Sequence, residues 1–379
     1  MDTTLHTLKA YRGRATLARQ PARVLIDVRA LKHIGRADLQ TLSEVTARFP
    51  FRASDYYLGL IDWTDPHDPI RRLIIPDPKE LSDFGNPDAS DEASNTPLPG
   101  LQHKYPDTAL LLVTDQCAAF CRYCFRKRLF QTDNRETVRD MSAGIEYIRQ
   151  HTTITDVLLT GGDALALPTP QLQTIIEALT QIRHVHTIRI GSKMLAYNPA
   201  RPLSDTRLHS LIRKTIAAGK NVYLMCHFDH PREFTPLALE ALSVFREIGV
   251  ECLNQCPVTA GINDDATVLA DLLQQCTDAG CPQYYFFQCR PTSGNTGFVI
   301  PITRAFSLID EARARVSGLS RRVRYCLSHA TGKVEVVGLD PERIYARYHR
   351  AKNPGDEGRM LVFQRDDMAT WLDDLVPVI

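Results

Sequence analysis

The chain has 379 residues, 44% hydrophobic and 23% charged, an ordinary balance for a folded globular protein that excludes a mostly disordered chain. Lys and Arg number 45 against 44 Asp and Glu, so the net charge is +1 and no global field points to nucleic acid or an anionic membrane. Apolar runs such as Ala109–Val113 are far too short to span a bilayer.

Residues 1–23 carry Lys9, Arg12, Arg14, Arg19 and Arg23 against Asp2. They read as a surface or oligomer-forming helix, with a transit segment as the alternative; no apolar signal core follows Met1. Asp38–Phe49 reads as a short helix closed by Pro50. Residues 76–100 hold five prolines among Asp, Glu, Ser and Asn, and read as an exposed acidic arm. From residue 108 the texture changes. Apolar, partly β-branched runs at 109–114, 156–160, 187–191, 222–226, 250–254 and 283–288 read as buried parallel strands. Helix-period segments near 140–150, 169–181, 206–219, 236–247, 265–279 and 304–316 separate and follow them. Ser204 and Thr235 fall at N-cap positions, and Gly219, Gly249 and Gly280 where helices end. Such pairs predict a parallel α/β structure, either an incomplete TIM-type barrel or a doubly wound sheet, with chemistry at the carboxyl ends of the strands. Lys333–Val337 and Met360–Phe363 read as strands and Met368–Leu375 as a terminal helix. The division is a helical region with its arm at 1–107, the α/β core at 108–300 and an extension at 301–379.

Ten cysteines in a chain of this size argue for a reducing compartment, hence the cytoplasm, and one metal or cluster site. Cys117-Ala-Ala-Phe-Cys121-Arg-Tyr-Cys124 lies just past the first strand. Three thiolates on one loop can ligate three irons of a [4Fe–4S] cluster and leave the fourth open to a small ligand. Structural zinc usually takes four closed ligands, and no second cysteine pair follows. Three inert thiols are the remaining alternative. Leu159-Thr-Gly161-Gly162-Asp163 ends the second strand with glycines that permit close backbone approach. Arg189-Ile-Gly-Ser192 ends the third, Cys226-His227-Phe-Asp-His230 the fourth, and Asn254-Gln255 the fifth. His230, ahead of His227, reads as a hydrogen-bonding residue, and Gln255 as a polar side chain at the barrel mouth.

The spacing CxxxCxxC after the first strand of a β/α repeat, with Tyr123 before the last cysteine, resembles the radical S-adenosylmethionine enzymes. The resemblance implies a partial (β/α)6 barrel, a [4Fe–4S] cluster on Cys117, Cys121 and Cys124, and an open iron binding S-adenosylmethionine. It further implies cofactor contacts from Tyr123, Gly161, Gly162, Asp163, Arg189, Ser192, His230 and Gln255. A closer likeness follows from His103-Lys-Tyr-Pro-Asp107, Leu112-Val-Thr-Asp-Gln-Cys117, Cys121-Arg-Tyr-Cys-Phe-Arg126, Gly161-Gly-Asp-Ala-Leu165, His227-Phe-Asp-His-Pro231 and Pro282-Gln-Tyr-Tyr285, in order over about 100–295. These are similar to the lysine 2,3-aminomutase family. That implies pyridoxal 5′-phosphate held by a lysine, here Lys333, with Lys104 and Tyr105 near its phosphate and Arg126 on the substrate's α-carboxylate. It also implies a small amino acid substrate, a reducing donor such as flavodoxin or ferredoxin, and a homo-oligomer, with no nucleic acid or membrane partner.

Three departures stand out. Ala-Thr-Gly precedes Lys333 where the family has a glycine-rich loop. Thr108 lacks the positive charge of the family's phosphate-contacting segment. Arg290 and, approximately, Cys326 stand where lysine-acting members carry two aspartates. Arg290 would repel an ammonium and can fork onto a carboxylate, so the expected substrate is an anionic amino acid and not lysine. No cysteine follows Cys326, so no structural zinc is expected. The alternatives are a pyridoxal-independent radical enzyme on a small anionic metabolite, an enzyme modifying a protein lysine, and a non-catalytic iron–sulfur or zinc protein.

Overall fold

The structure is a computed structural model that describes residues 22–131 and 134–378, so the reading of the basic N-terminus falls largely outside the described residues. Two short strands, β1 (Val24–Leu25) and β2 (Ala53–Ser54), pair antiparallel. An 11-stranded sheet follows. Its strands are β3 (Leu101–Tyr105), β4 (Thr108–Thr114), β5 (Asp156–Gly161), β6 (Thr187–Ser192), β7 (Asn221–Cys226), β8 (Glu251–Val258), β9 (Gln283–Gln288), β10 (Arg324–His329), β11 (Gly332–Leu339), β12 (Arg343–Ala351) and β13 (Met360–Gln364). They lie side by side in strict chain order. Strands β4 to β10 run parallel, while β3 and β11–β13 add antiparallel flanks. A doubly wound sheet requires a point where strand order reverses, and there is none here.

The parallel strands do not alternate in hydrophobicity, yet burial alternates along β5, β6 and β8. On β5, Val157 and Leu159 are fully buried, while Asp156, Leu158 and Thr160 face an internal cavity. The sheet is also strongly curled. Lys104 on β3 donates to the carbonyl of His329 at the end of β10, seven strands away in the ladder. A flat sheet would separate them by roughly 34 Å.

The helices Ser142–Gln150, Thr169–Thr180, Thr206–Ala217, Pro236–Glu247, Ala266–Asp278 and Ile302–Ala314 fall where the periodicity places them. Thr235 caps its helix by accepting the Ala238 N–H, but Asp205, not Ser204, caps the helix at 206 through Leu208. Gly219, Gly249 and Gly280 have φ of +86°, +91° and +69°, the left-handed turn that ends a helix.

Four expectations are corrected. A seventh parallel strand, β10, follows the sixth helix; its Arg-Tyr-Cys-Leu-Ser-His mixes polar and apolar residues too evenly to stand out. Strand β12 was not anticipated, because it alternates buried Ile344, Ala346 and Tyr348 with polar or charged residues, as a one-sided antiparallel strand does. Residues 368–375 form no helix beyond one short turn at Leu372–Asp374, because Asp374 takes the N–H groups of Thr370 and Trp371. Finally, the acidic segment 76–100 is not an exposed arm throughout. Glu80, Ser90 and Asn95 are buried against the core.

Candidate active site

One cavity of about 400 Å³ runs down the inner face of the sheet. At one end are the three cysteines and the carboxyl ends of β5 to β9; at the other are Thr108 and Asp156, which open β4 and β5.

The cysteine loop is held by the acidic segment. Arg122, only 1% exposed, donates Nε and Nη2 to Glu80 at 2.9 and 2.8 Å, and reaches the carbonyls of Pro50 and Phe49 at 2.9 and 3.1 Å. Lys127 adds a 3.2 Å contact to the same carboxylate and donates to the Gly294 carbonyl. Burial pushes its amine down to about 8, with Glu80 opposing. On this frame Cys117, Cys121 and Cys124 are half-buried and all line the cavity. Burial lifts all three thiols, Cys121 to about 12. A ligating thiol must lose its proton, so bound iron, not the protein alone, would hold the charge. Cys124 Sγ accepts the Arg126 N–H at 3.4 Å, and Tyr197 Oη lies 2.8 Å from Cys121 Sγ. Among the described residues no three His, Cys, Asp or Glu side chains surround one point as a single ion would require. A [4Fe–4S] cluster takes one thiolate per iron, and all three thiols open onto the one cavity.

The glycines at the end of β5 are needed first by the backbone itself. Gly161 has φ +110°, and a Cβ there would sit 2.4 Å from the Thr114 carbonyl; one on Gly162 would sit 2.4 Å from that of Gln116. The Gly162 and Asp163 N–H groups are taken by those same carbonyls. Asp163 accepts the N–H groups of Leu165 and Lys193 at 2.9 and 2.7 Å, and burial raises its carboxyl. Arg189 lines the cavity while paired with Asp156 at 2.7 Å, and Ser192 and Gln255 line it as well. The two histidines are placed differently. His227 lines the cavity, 2.8 Å from Tyr123 Oη. His230 is not among the lining residues; its Nδ1 accepts the Arg232 N–H, and burial lowers its ring to about 4.

Several cations line the same cavity. Lys333 is the second residue of β11, after the tight turn Ala330–Thr331, and faces Ser328 on β10 and Arg350 on β12 in register. Side chains opposite each other on antiparallel strands share a face, and all three line the cavity. The Lys333 ammonium lies 4.4 Å from the Tyr285 ring centroid. Burial lowers its amine to about 8, with Arg189, Arg350 and Arg290 pushing the same way and Cys326 opposing. Burial likewise lowers Lys104 to about 8. Tyr105 lines the cavity beneath the guanidinium of Arg350 at 4.3 Å.

Arg126 is buried and largely occupied. Its Nε and Nη2 fork onto Glu92 at 3.2 and 2.8 Å, and it reaches Thr160 at 3.0 Å and Gln102 at 3.3 Å. Arg290 stacks its guanidinium 3.7 Å over the Phe125 ring, and burial lowers it to about 10, so it remains charged at neutral pH. Glu92 is the acid nearest to it in effect, but that carboxylate already serves Arg126 and Arg128. Cys326 is buried and does not line the cavity.

Sequence reading missed Glu92, Lys193, Tyr197 and Arg350. Lys193 bridges Asp229 at 2.6 Å and Glu233 at 2.7 Å, and Tyr123 Oη donates to the same Asp229 at 2.6 Å. Burial alone would lower Lys193, but the two carboxylates outweigh it and hold the ammonium charged. Only the position of Lys193, directly after Ser192 at a strand end, offered a signal.

A scan against models of known protein families finds no match. Curated proteins give clear relatives. A "Putative L-lysine 2,3-aminomutase" of Aquifex aeolicus (strain VF5) is 49% identical over 356 residues, 94% of this chain and 95% of that one. The L-lysine 2,3-aminomutase of Acetoanaerobium sticklandii is 36% identical over 266 residues, 69% of this chain and 63% of that one. The glutamate 2,3-aminomutase of Clostridioides difficile (strain 630) is 33% identical over 287 residues, 75% and 67% of the two chains. Enzymes of this family use a [4Fe–4S] cluster, S-adenosylmethionine and pyridoxal phosphate. With near-complete coverage by such a relative and the cysteine loop opening onto a cavity that holds Lys333, the chain belongs to the lysine 2,3-aminomutase family of radical S-adenosylmethionine enzymes.

Proposed function

We propose that this enzyme is a pyridoxal-phosphate-dependent 2,3-aminomutase for an anionic amino acid, in the first instance a dicarboxylic one, and that lysine is not its substrate. The observation that carries this reading is one cavity holding Cys117, Cys121, Cys124, Lys333, Arg126 and Arg290 together, with Arg290 unpaired by any carboxylate among the described residues. When bound, the cluster and S-adenosylmethionine supply a hydrogen-abstracting 5′-deoxyadenosyl radical, and pyridoxal phosphate stabilises the substrate radical as nitrogen moves between carbons.

The chain's own residues do the holding. The three thiols carry the cluster. Tyr123, the Gly161–Asp163 turn, Arg189, Ser192, His227 and Gln255 shape the adjoining space for S-adenosylmethionine. Lys333, with a free-amine fraction near neutral pH, is suited to grip a cofactor aldehyde. Arg126 meets the α-carboxylate, in competition with Glu92. Arg290, fixed on Phe125, meets the distal carboxylate and disfavours a distal ammonium. Phe125, Phe130 and Phe287 line the same walls and limit water. The sequential strand order and the curl of the sheet support a partial TIM-type barrel, now with seven parallel strands. A flavodoxin- or ferredoxin-type electron donor and a homo-oligomeric assembly belong to the same proposal. The competing reading, pyridoxal-independent radical chemistry, draws on the Lys333–Tyr285 contact, which gives that ammonium a resting place of its own.

Arg290→Asp tests the substrate. Equilibrium binding of glutamate to the reconstituted, S-adenosylmethionine-loaded protein should weaken by about 2–5 kcal/mol, the scale of breaking a buried charge pair. Lysine binding should not weaken. Unchanged glutamate affinity would sink the assignment.

A further inference from the structure

Thr108, which opens β4 on the cavity wall, carries no charge of its own. The fold supplies one from elsewhere. Arg350 of β12 donates Nη1 to Thr108 Oγ1 at 3.2 Å, although 242 residues separate them. Its guanidinium lies over Tyr105, 4.3 Å from the ring centroid. It lines the cavity with Lys104, Tyr105, Thr108, Ser328 and Lys333. The curl of the sheet is what brings β12 to the start of β4.

We infer that Arg350, together with Lys104, is the phosphate-binding pair of this enzyme's pyridoxal phosphate site. The inference rests on the reading of Lys333 above and adds a residue to it. Lys333 and Arg350 are register partners on neighbouring antiparallel strands, so their side chains leave one face side by side. The aldehyde and the phosphate-bearing methylene of the cofactor sit on adjacent ring carbons, so side-by-side groups can hold both. A guanidinium offers five N–H donors and forks onto phosphate oxygens. Arg350 commits Nη1 to Thr108 and Nη2 to Asp107, and the Asp107 carboxylate is more than half exposed. That carboxylate is the competitor an incoming phosphate must outbid.

The test compares pyridoxal 5′-phosphate with pyridoxal, which has the aldehyde but no phosphate, in absorbance titrations of wild type, Arg350→Gln and Asp107→Asn. Arg350→Gln should weaken pyridoxal 5′-phosphate by about tenfold or more and leave pyridoxal unchanged. Asp107→Asn, a change at an exposed carboxylate, should hold or tighten pyridoxal 5′-phosphate. Inorganic phosphate should compete with the phosphorylated aldehyde in wild type and less in Arg350→Gln. Equal loss of both aldehydes, or no loss of either, in Arg350→Gln overturns the assignment of Arg350 while leaving Lys333 in place. Weaker pyridoxal 5′-phosphate binding in Asp107→Asn overturns it as well. If wild type attaches neither aldehyde, both this inference and the cofactor reading it rests on fall.

Discussion

A Cys121→Ala protein is expected to purify without the brown cluster chromophore and to leave S-adenosylmethionine uncleaved under reducing conditions. The expectation follows from position. Cys121 is the middle residue of the three, half-buried on the cavity wall, with its sulfur 2.8 Å from the Tyr197 hydroxyl. Three thiolates leave one iron without protein ligand, and removing one leaves two, too few to retain a four-iron cluster against exchange. The loop itself should survive, because its shape rests on Arg122, Lys127 and Glu80 rather than on sulfur. Cys289 lines the same cavity from another element and provides the control. Cys289→Ala should keep both the colour and the cleavage. Iron content and the visible spectrum of the two variants check this, and a cluster retained in Cys121→Ala would refute the ligand assignment.

The second large effect is on stability. Glu80→Ala should destabilise the fold by about 3–5 kcal/mol, because removing one partner of a buried pair leaves uncompensated charge in the interior. Glu80 and Arg122 have side chains only 1% and 2% exposed, and Lys127 only 7%, so water cannot easily replace the lost carboxylate. Glu80 also closes a capping box with Asp77, accepting the Asp77 N–H at 3.0 Å. Urea denaturation of the variant and the wild type gives the difference directly. A change below about 1 kcal/mol, the scale of exposed pairs, would show that the frame beneath the cysteine loop is not the one described.

Glu80 also shows where sequence reading stops. Six parallel strands, the helices between and after them, and the cysteine loop could be read locally, from short apolar runs, from a 3.6-residue period and from one dense spacing. The segment 76–100 reads as solvated because its composition is polar and proline-rich. Its burial comes from two ion-pair systems that reach across the chain, Glu80 with Arg122 and Glu92 with Arg126. Neither partner is visible from its neighbours. Arg350 is the extreme case. On its own strand it is one charge among polar neighbours; pairing with β11 sets it beside Lys333, and the curl of the sheet brings it to Thr108. Glycines 161 and 162 teach a related lesson. Their need for close approach was legible, but what approaches first is the protein's own backbone.

The proposed function turns on Lys333 as the amine that holds an aldehyde cofactor in this cavity. Borohydride reduction of the anaerobically purified, pyridoxal-phosphate-supplemented protein, followed by peptide mass mapping across a pH series, tests it most directly. Burial and neighbouring cations lower the Lys333 amine to about 8, so it is mostly protonated below that pH and mostly free above it. A phosphopyridoxyl adduct confined to Lys333, rising through about pH 8 and then level, is the predicted result. An unmodified Lys333 in protein that retains its cluster would contradict the account and favour radical chemistry without pyridoxal phosphate.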